Sequence, residues 1–131
     1  MENPMNLEGR VLIVTGAAQG IGRGVALKAA SLGARLVLVD INGDSARETA
    51  ELVGGSADVY IGSVADPAFV QGMVEAVVDK HGTINGLFNN AGIIRTAMIH
   101  KMSLADWQAV IDVNLSGVFY CLQAVGRHMM E

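Results

Sequence analysis

Three glycines and one carboxylate are the residues of this sequence whose types and spacing could do chemistry. In Thr15-Gly16-Ala17-Ala18-Gln19-Gly20-Ile21-Gly22, small residues follow the apolar run Val11-Leu12-Ile13-Val14 and lead into a helical pattern. Glycine lets a backbone turn sharply and approach a ligand with no side chain in the way. A helix start then presents unpaired N–H groups and a partial positive charge, which suits a phosphate. On that logic Gly16 makes the turn out of the strand, Gly20 admits a pyrophosphate, and Gly22 permits close helix–sheet packing. The spacing is G-x-x-x-G-x-G rather than the G-x-G-x-x-G of the general dinucleotide fingerprint, and alone it also fits a tight strand-to-helix turn without a ligand.

Asp40 adds the second half of a nucleotide site. It ends the next apolar run 18 positions after Gly22, close to the offset of about 20 at which an acid binds ribose hydroxyls. A carboxylate accepts two hydrogen bonds from a 2′,3′-diol and repels a 2′-phosphate. Ile41 follows where a phosphate-binding arginine could have stood. The expected cofactor is therefore NAD, with NADP less favoured. A solvated acid at a strand end is the alternative for Asp40 taken alone.

The elements that must position these groups alternate along the chain. Val11–Val14, Leu36–Val39, Ala57–Val64 and the neighbourhood of Leu87–Phe88 read as short strands buried on both faces, with Gly62 weakening the third. Between the first two, Ile21, Val25, Ala29 and Leu32 recur at near-helical spacing up to Gly33. A second helix is expected to open at Ser45, where Glu48 completes a capping box, and to end at Gly54-Gly55. Asp66-Pro67 opens a third, with Phe69, Met73, Val74, Val77 and Val78 as its buried stripe and Lys80, His81 and Gly82 at its end. Ser103 to Asp106 opens a long helix running through Trp107 toward His128. The expected fold class is α/β, a parallel sheet with helices on both faces.

Composition bounds the partners. The 131 residues are 51% hydrophobic, enough for a sizeable core, and only 5% aromatic. Nine basic against thirteen acidic residues give a net charge of -4 without a basic cluster, which disfavours a nucleic-acid surface. Cys121 is the only cysteine, so no internal disulfide forms, and a reducing cytoplasmic setting is expected. The polar start lacks a signal-peptide pattern, and no 18 apolar residues run together, so no membrane span is expected.

Asn89-Asn90-Ala91-Gly92 after the fourth strand, and Asn114 within Asp112-Val113-Asn114-Leu115, make the pattern specific. With the glycine turn, in this order and spacing, the chain resembles the N-terminal part of the short-chain dehydrogenase/reductase family. The resemblance spans nearly all of residues 1–131, which it marks as the NAD(P)-binding Rossmann portion of a single-domain member, with sheet order 3-2-1-4. It implies that Gly16, Gln19, Gly20, Ile21 and Gly22 surround the pyrophosphate and adjoining ribose. Asp40 would hold the adenosine ribose, and Asn90, Ala91 and Gly92, with Val113 nearby, would line the stretch toward nicotinamide. Asn114 matches the family's active-site asparagine, which bends its helix and holds a water of the proton relay. At Ser63-Val64 the chain departs from the family's usual Asp-Val against the adenine. A hydroxyl can still bond the adenine amino group, as a neutral and weaker partner.

The resemblance also implies chemistry that this sequence does not contain. The family protonates its alkoxide through a tyrosine in Tyr-x-x-x-Lys, with a serine on the substrate oxygen. Tyr60 is followed at that spacing by Val64 and Tyr120 by Ala124. The three histidines, His81, His100 and His128, are scattered and read as helix-end or surface residues, and Cys121 as inert packing. The expectation is thus an NAD-dependent oxidoreductase acting on an alcohol or ketone, whose 131 residues stop before a fifth strand and are inactive alone. The uncovered fourth strand and last helix are expected to drive homo-oligomerisation or segment swapping. The alternatives are a non-catalytic nucleotide- or partner-binding module and a methyltransferase, the latter opposed by Asn89-Asn90-Ala91-Gly92. A P-loop nucleotidase is excluded because no Gly-Lys-Ser/Thr follows the turn.

Overall fold

The computed structural model describes residues 3–54 and 57–131. Four strands, Val11–Thr15 (β1), Arg35–Asp40 (β2), Asp58–Ile61 (β3) and Gly86–Phe88 (β4), form one sheet in the order β3-β2-β1-β4. All three pairings are parallel, with Val14 beside Leu38 on one side and Phe88 on the other. The helices are Gly20–Ser31 (α1), Gly43–Leu52 (α2), Pro67–His81 (α3), Leu104–Ile111 (α4) and Gly117–Met130 (α5), with a π-helical stretch Asp112–Ser116 joining the last two. Successive strand residues point to opposite faces; both faces of β1 and β2 are covered, whereas β3 and β4 at the sheet edges are only half-buried and Phe88 is exposed, contrary to the expectation for that strand. Val11, Ile13, Val37 and Val39 pack with Val70, Met73 and Val77 of α3 and with Cys121 and Val125 of α5. Val14, Leu36 and Leu38 pack with Ala26 and Ala29 of α1 on the other face. This is the doubly wound arrangement that the alternating pattern predicts.

Local chemistry moves several boundaries from their expected places. α2 starts at Gly43 because Asn42 caps it, its side chain accepting the Ser45 N–H at 3.1 Å. Ser45 therefore lies inside the first turn, and Glu48 pairs with Arg23 at 3.2 Å instead of closing a capping box. α2 ends at Leu52, before Gly54 (φ 99°); Gly55 lies outside the described residues. β3 stops at Ile61 rather than Val64, since the chain bends at Gly62 against the Phe69 ring, where an added Cβ would sit 2.5 Å away. The Asp66 carboxylate caps α3 by accepting from Ala68 and Phe69, Pro67 opens it, and left-handed Gly82 closes it, all as the sequence predicts. Its fully buried stripe is Val70, Met73, Val74 and Val77, the i, i+3, i+4, i+7 set, with Phe69 and Val78 flanking it half-buried.

From Leu104 to Met130 the helix is continuous over 27 residues, and an 18-residue window of it reaches a mean hydropathy of 1.4. By length and composition it is apolar enough to cross a membrane, a property it shares with core helices of soluble proteins, although no 18 apolar residues run together. Cys121 and Val125 fix one side of it onto α3 and the sheet.

Candidate functional site

The carboxyl ends of β1, β2 and β4 converge on an open cleft. Gly16, Asp40, Ser63, Val64, Ala91, Gly92 and Val113 line it, together with Val39, Ile41, Gly62 and Ile93, which were not among the expected site residues. A cleft at this end, between the outward-running strands β2 and β4, is where open α/β sheets take ligands.

Of the glycine turn only Gly16 lines the cleft; Gln19, Gly20, Ile21 and Gly22 lie outside its lining. Gly16 is left-handed (φ 66°), and a Cβ there would come within 2.9 Å of the Ala91 backbone, so the β1 and β4 loops can approach only across a glycine. Gly20 is also left-handed (φ 58°), yet an added Cβ would meet nothing within 4 Å, leaving open space in front of the backbone. At Gly22 an added Cβ would lie 2.1 Å from the Gly16 carbonyl oxygen. Its tight contact is thus with the turn itself, more than with the sheet at large. Gln19 precedes α1 in an extended conformation without capping it through its side chain, and Gln19, Gly20 and Ile21 are exposed. The first N–H groups of α1 are left without a side-chain partner, which is the condition for anion binding.

Asp40 lines the cleft beside that turn. One carboxylate oxygen accepts from Ala18 N at 3.0 Å and the other from Asn42 N at 2.9 Å. Each oxygen keeps a second lone pair for a further donor. The same side chain thus ties the glycine turn to the end of β2 and presents acceptors at the cleft. Ser63 bends the chain after β3, its hydroxyl accepting from Ala65 N at 3.1 Å.

The β4 side is held by amides. Thr15, fully buried, accepts from Asn90 N (2.9 Å) and Ala91 N (3.0 Å) through its hydroxyl. Asn90 does not line the cleft; its amide donates to the Gly16 carbonyl at 3.3 Å, beneath it. Asn89 reaches outward to the Val118 carbonyl at 3.0 Å. Asn114 sits in the π-helical stretch and clamps one residue twice. Its Oδ1 accepts from Ile93 N (2.8 Å) and its Nδ2 donates to Ile93 O (2.9 Å). Asn114 is exposed and reaches the cleft through Ile93.

Two further residues shape the site without having been singled out. Thr15 carried no role in the sequence beyond its place in the motif. Thr49 is fully buried, and its hydroxyl donates to the Ala17 carbonyl at 2.9 Å while accepting from Arg23 Nε at 2.9 Å. It falls on the stripe Ala46, Thr49, Ala50, Val53 and so looks like ordinary core; a threonine among small apolar residues was the available signal. Elsewhere, burial pushes the Cys121 thiol up to about 11, in keeping with inert packing. His81 ends α3 as expected, but its side chain is only 7% exposed and meets the Asp58 carboxylate at 2.6 Å. Among the described residues no group of three His, Cys, Asp or Glu could hold a metal ion.

Known proteins share this architecture and sequence. A family model described as short chain dehydrogenase matches residues 10–131. A 3-oxoacyl-[acyl-carrier-protein] reductase of Thermotoga maritima is 45% identical over 97% of this chain and 53% of its own length. A D-threitol dehydrogenase of Mycolicibacterium smegmatis is 43% identical over 95% of this chain and 49% of its own. The crystal structure of a short-chain type dehydrogenase/reductase from Mycobacterium marinum superposes with a TM-score of 0.91 at 34% identity, covering 95% of this chain and 52% of that one. The chain spans about half the length of the curated relatives it matches. With the parallel order β3-β2-β1-β4 and the glycine turn at its carboxyl end, that match over nearly the whole chain places it in the short-chain dehydrogenase/reductase family of oxidoreductases.

Proposed function

We propose that these residues hold the adenosine diphosphate part of NAD, and that the protein transfers hydride between a secondary alcohol or ketone and nicotinamide. The observation that carries this is the pairing of an uncapped α1 start, opened by left-handed Gly20 with free space before it, with an Asp40 carboxylate that lines the cleft and bonds the same turn. When bound, NAD supplies the ring that gives or takes the hydride. Gly16, Gln19, Gly20, Ile21 and Gly22 would receive the pyrophosphate on backbone N–H groups. Asp40 would accept from the ribose diol, beside apolar Ile41. Ser63 and Val64 would meet the adenine, Ala91, Gly92 and Val113 would flank the path toward nicotinamide, and Asn90 would support it from beneath by holding the Gly16 carbonyl. Asn114 would occupy the relay position, keeping the Ile93 loop in place. A dehydrogenase and a reductase among the relatives support a reversible alcohol–ketone chemistry.

The 131 residues contain no Tyr-x-x-x-Lys, so on their own they should bind without turnover. That observation also favours a second reading, a nucleotide-binding module that works with another chain. A free, buried Cys121 supports a cytoplasmic setting. We further infer self-association, since Leu104, Trp107, Leu115, Phe119 and Leu122 are exposed along one helix beside the edge strand β4. A sedimentation profile that stays monomeric at all concentrations would refute it.

The functional test is a titration with NADH and with NADPH. A 2′-phosphate beside the Asp40 carboxylate should weaken NADPH by about tenfold or more relative to NADH. The reading fails if neither nucleotide binds, and its NAD preference fails if NADPH binds as tightly.

A further inference from the structure

We propose that Thr49, keyed by Arg23, is a positioning residue for the phosphate turn, setting affinity for the diphosphate from behind the site. The inference rests on the dinucleotide reading above and adds to it two residues that do not line the cleft.

The Ala17-Ala18 segment is held on both sides. Its N–H groups donate to the end of β2, Ala17 to the Val39 carbonyl at 3.3 Å and Ala18 to Asp40 at 3.0 Å. On the other side, the Ala17 carbonyl accepts from the Thr49 hydroxyl at 2.9 Å. The fully buried hydroxyl has one proton, and the Ser45 carbonyl of its own helix competes for it at 3.2 Å. Arg23 Nε fills an acceptor site of that oxygen at 2.9 Å and Nη2 occupies the competing Ser45 carbonyl at 3.2 Å, which favours the proton pointing to Ala17. Arg23 is itself fixed by the Glu48 carboxylate and the Ser45 carbonyl, both at 3.2 Å. It lies in the first turn of α1, so one guanidinium joins the helix that would receive the phosphate to the hydroxyl that holds the turn. The peptides leading into Gly20 are thereby set before any ligand arrives. Binding energy need not be used to order them, which is how preorganisation raises affinity.

The role predicts a loss confined to phosphate. Thr49→Val keeps the shape and removes the hydroxyl; Thr49→Ser keeps the hydroxyl; Arg23→Lys removes the planar key from a partly exposed position and should fold in any case. ADP is the probe and adenosine the phosphate-free control, followed by nuclear magnetic resonance titration of the 131-residue chain, with circular dichroism to establish folding. Thr49→Val should weaken ADP about tenfold and Arg23→Lys about threefold, while adenosine changes by less than about twofold and Thr49→Ser behaves as wild type. Should Thr49→Val not fold, Arg23→Lys against adenosine decides. Folded variants that bind ADP as wild type does overturn this inference and leave the dinucleotide reading standing. Parallel weakening of adenosine and ADP overturns it as well, since general loosening would then be the cause. A wild-type chain that binds no ADP overturns both.

Discussion

At Asp58 a lysine and a histidine meet one carboxylate. Lys80 Nζ bonds one oxygen, and His81 Nε2 lies 2.6 Å from the other, locking the end of α3 to the start of β3. Burial pushes the Asp58 carboxyl up, but the hydrogen bonds and charges of Lys80 and His81 outweigh it and leave it below its ordinary value of 3.8. A carboxyl whose folded value is lowered binds protons less readily than it does in the unfolded chain. Its stabilisation is therefore present above about pH 4 and is lost as pH falls through the folded value. Asp58→Asn should lower the melting temperature at pH 7 by a few degrees, on the order of 1 kcal/mol, and flatten the decline below about pH 4. Melting curves at pH 7 and pH 3 check this; an equal drop at both would contradict it. This cluster was not legible in the sequence, because Asp58 and His81 are 23 positions apart and meet only through the β3–α3 crossover. Asp40 was legible, since its offset from the glycine turn follows from a single strand–helix–strand unit.

Among elements, the junction of α4 and α5 shows how a helix can be made to serve a loop. Residues Asp112–Ser116 widen to a π turn, and the Asn114 side chain bonds both polar groups of Ile93. Such bulges inside α-helices are rare and gather at functional sites. Asn114→Ala removes both bonds at an exposed position, at about 1 kcal/mol of stability. The Ile93 amide should then exchange with solvent about tenfold faster, while the β1 and β2 amides stay protected. Unchanged exchange at Ile93 would show that the loop is held by other contacts. Strong signals of one residue type marked the ends of α3, and there expectation and structure agree at Asp66, Pro67 and Gly82. At α2 two caps competed, and Asn42 prevailed over Ser45 because the Asp40 carboxylate also fixes its backbone N–H. The π stretch has no periodicity signal of its own, and only the family resemblance pointed to a bend at Asn114.

On the scale of the whole molecule, a parallel sheet with helices on both faces follows from alternating strands and helices, and that much was readable from the apolar runs; the order β3-β2-β1-β4 came with the family resemblance. The cleft was readable only in part. Its glycine and acidic walls announce themselves through spacing, whereas the brace of Thr49 and Arg23 behind the turn depends on two helices packing side by side. The assignment of the cleft to a dinucleotide joins these parts, and one measurement reaches it most directly. The same NADH titration, followed amide by amide in the 131-residue chain, should move the signals of Gly16, Gln19 to Gly22, Asp40, Ser63 and Ala91 in one saturable transition. The far ends of the strands, around Arg35 and Gly86, should stay still. Saturable binding that instead perturbs the α3–α5 side, or a titration that moves no signal of the glycine turn, would contradict the account.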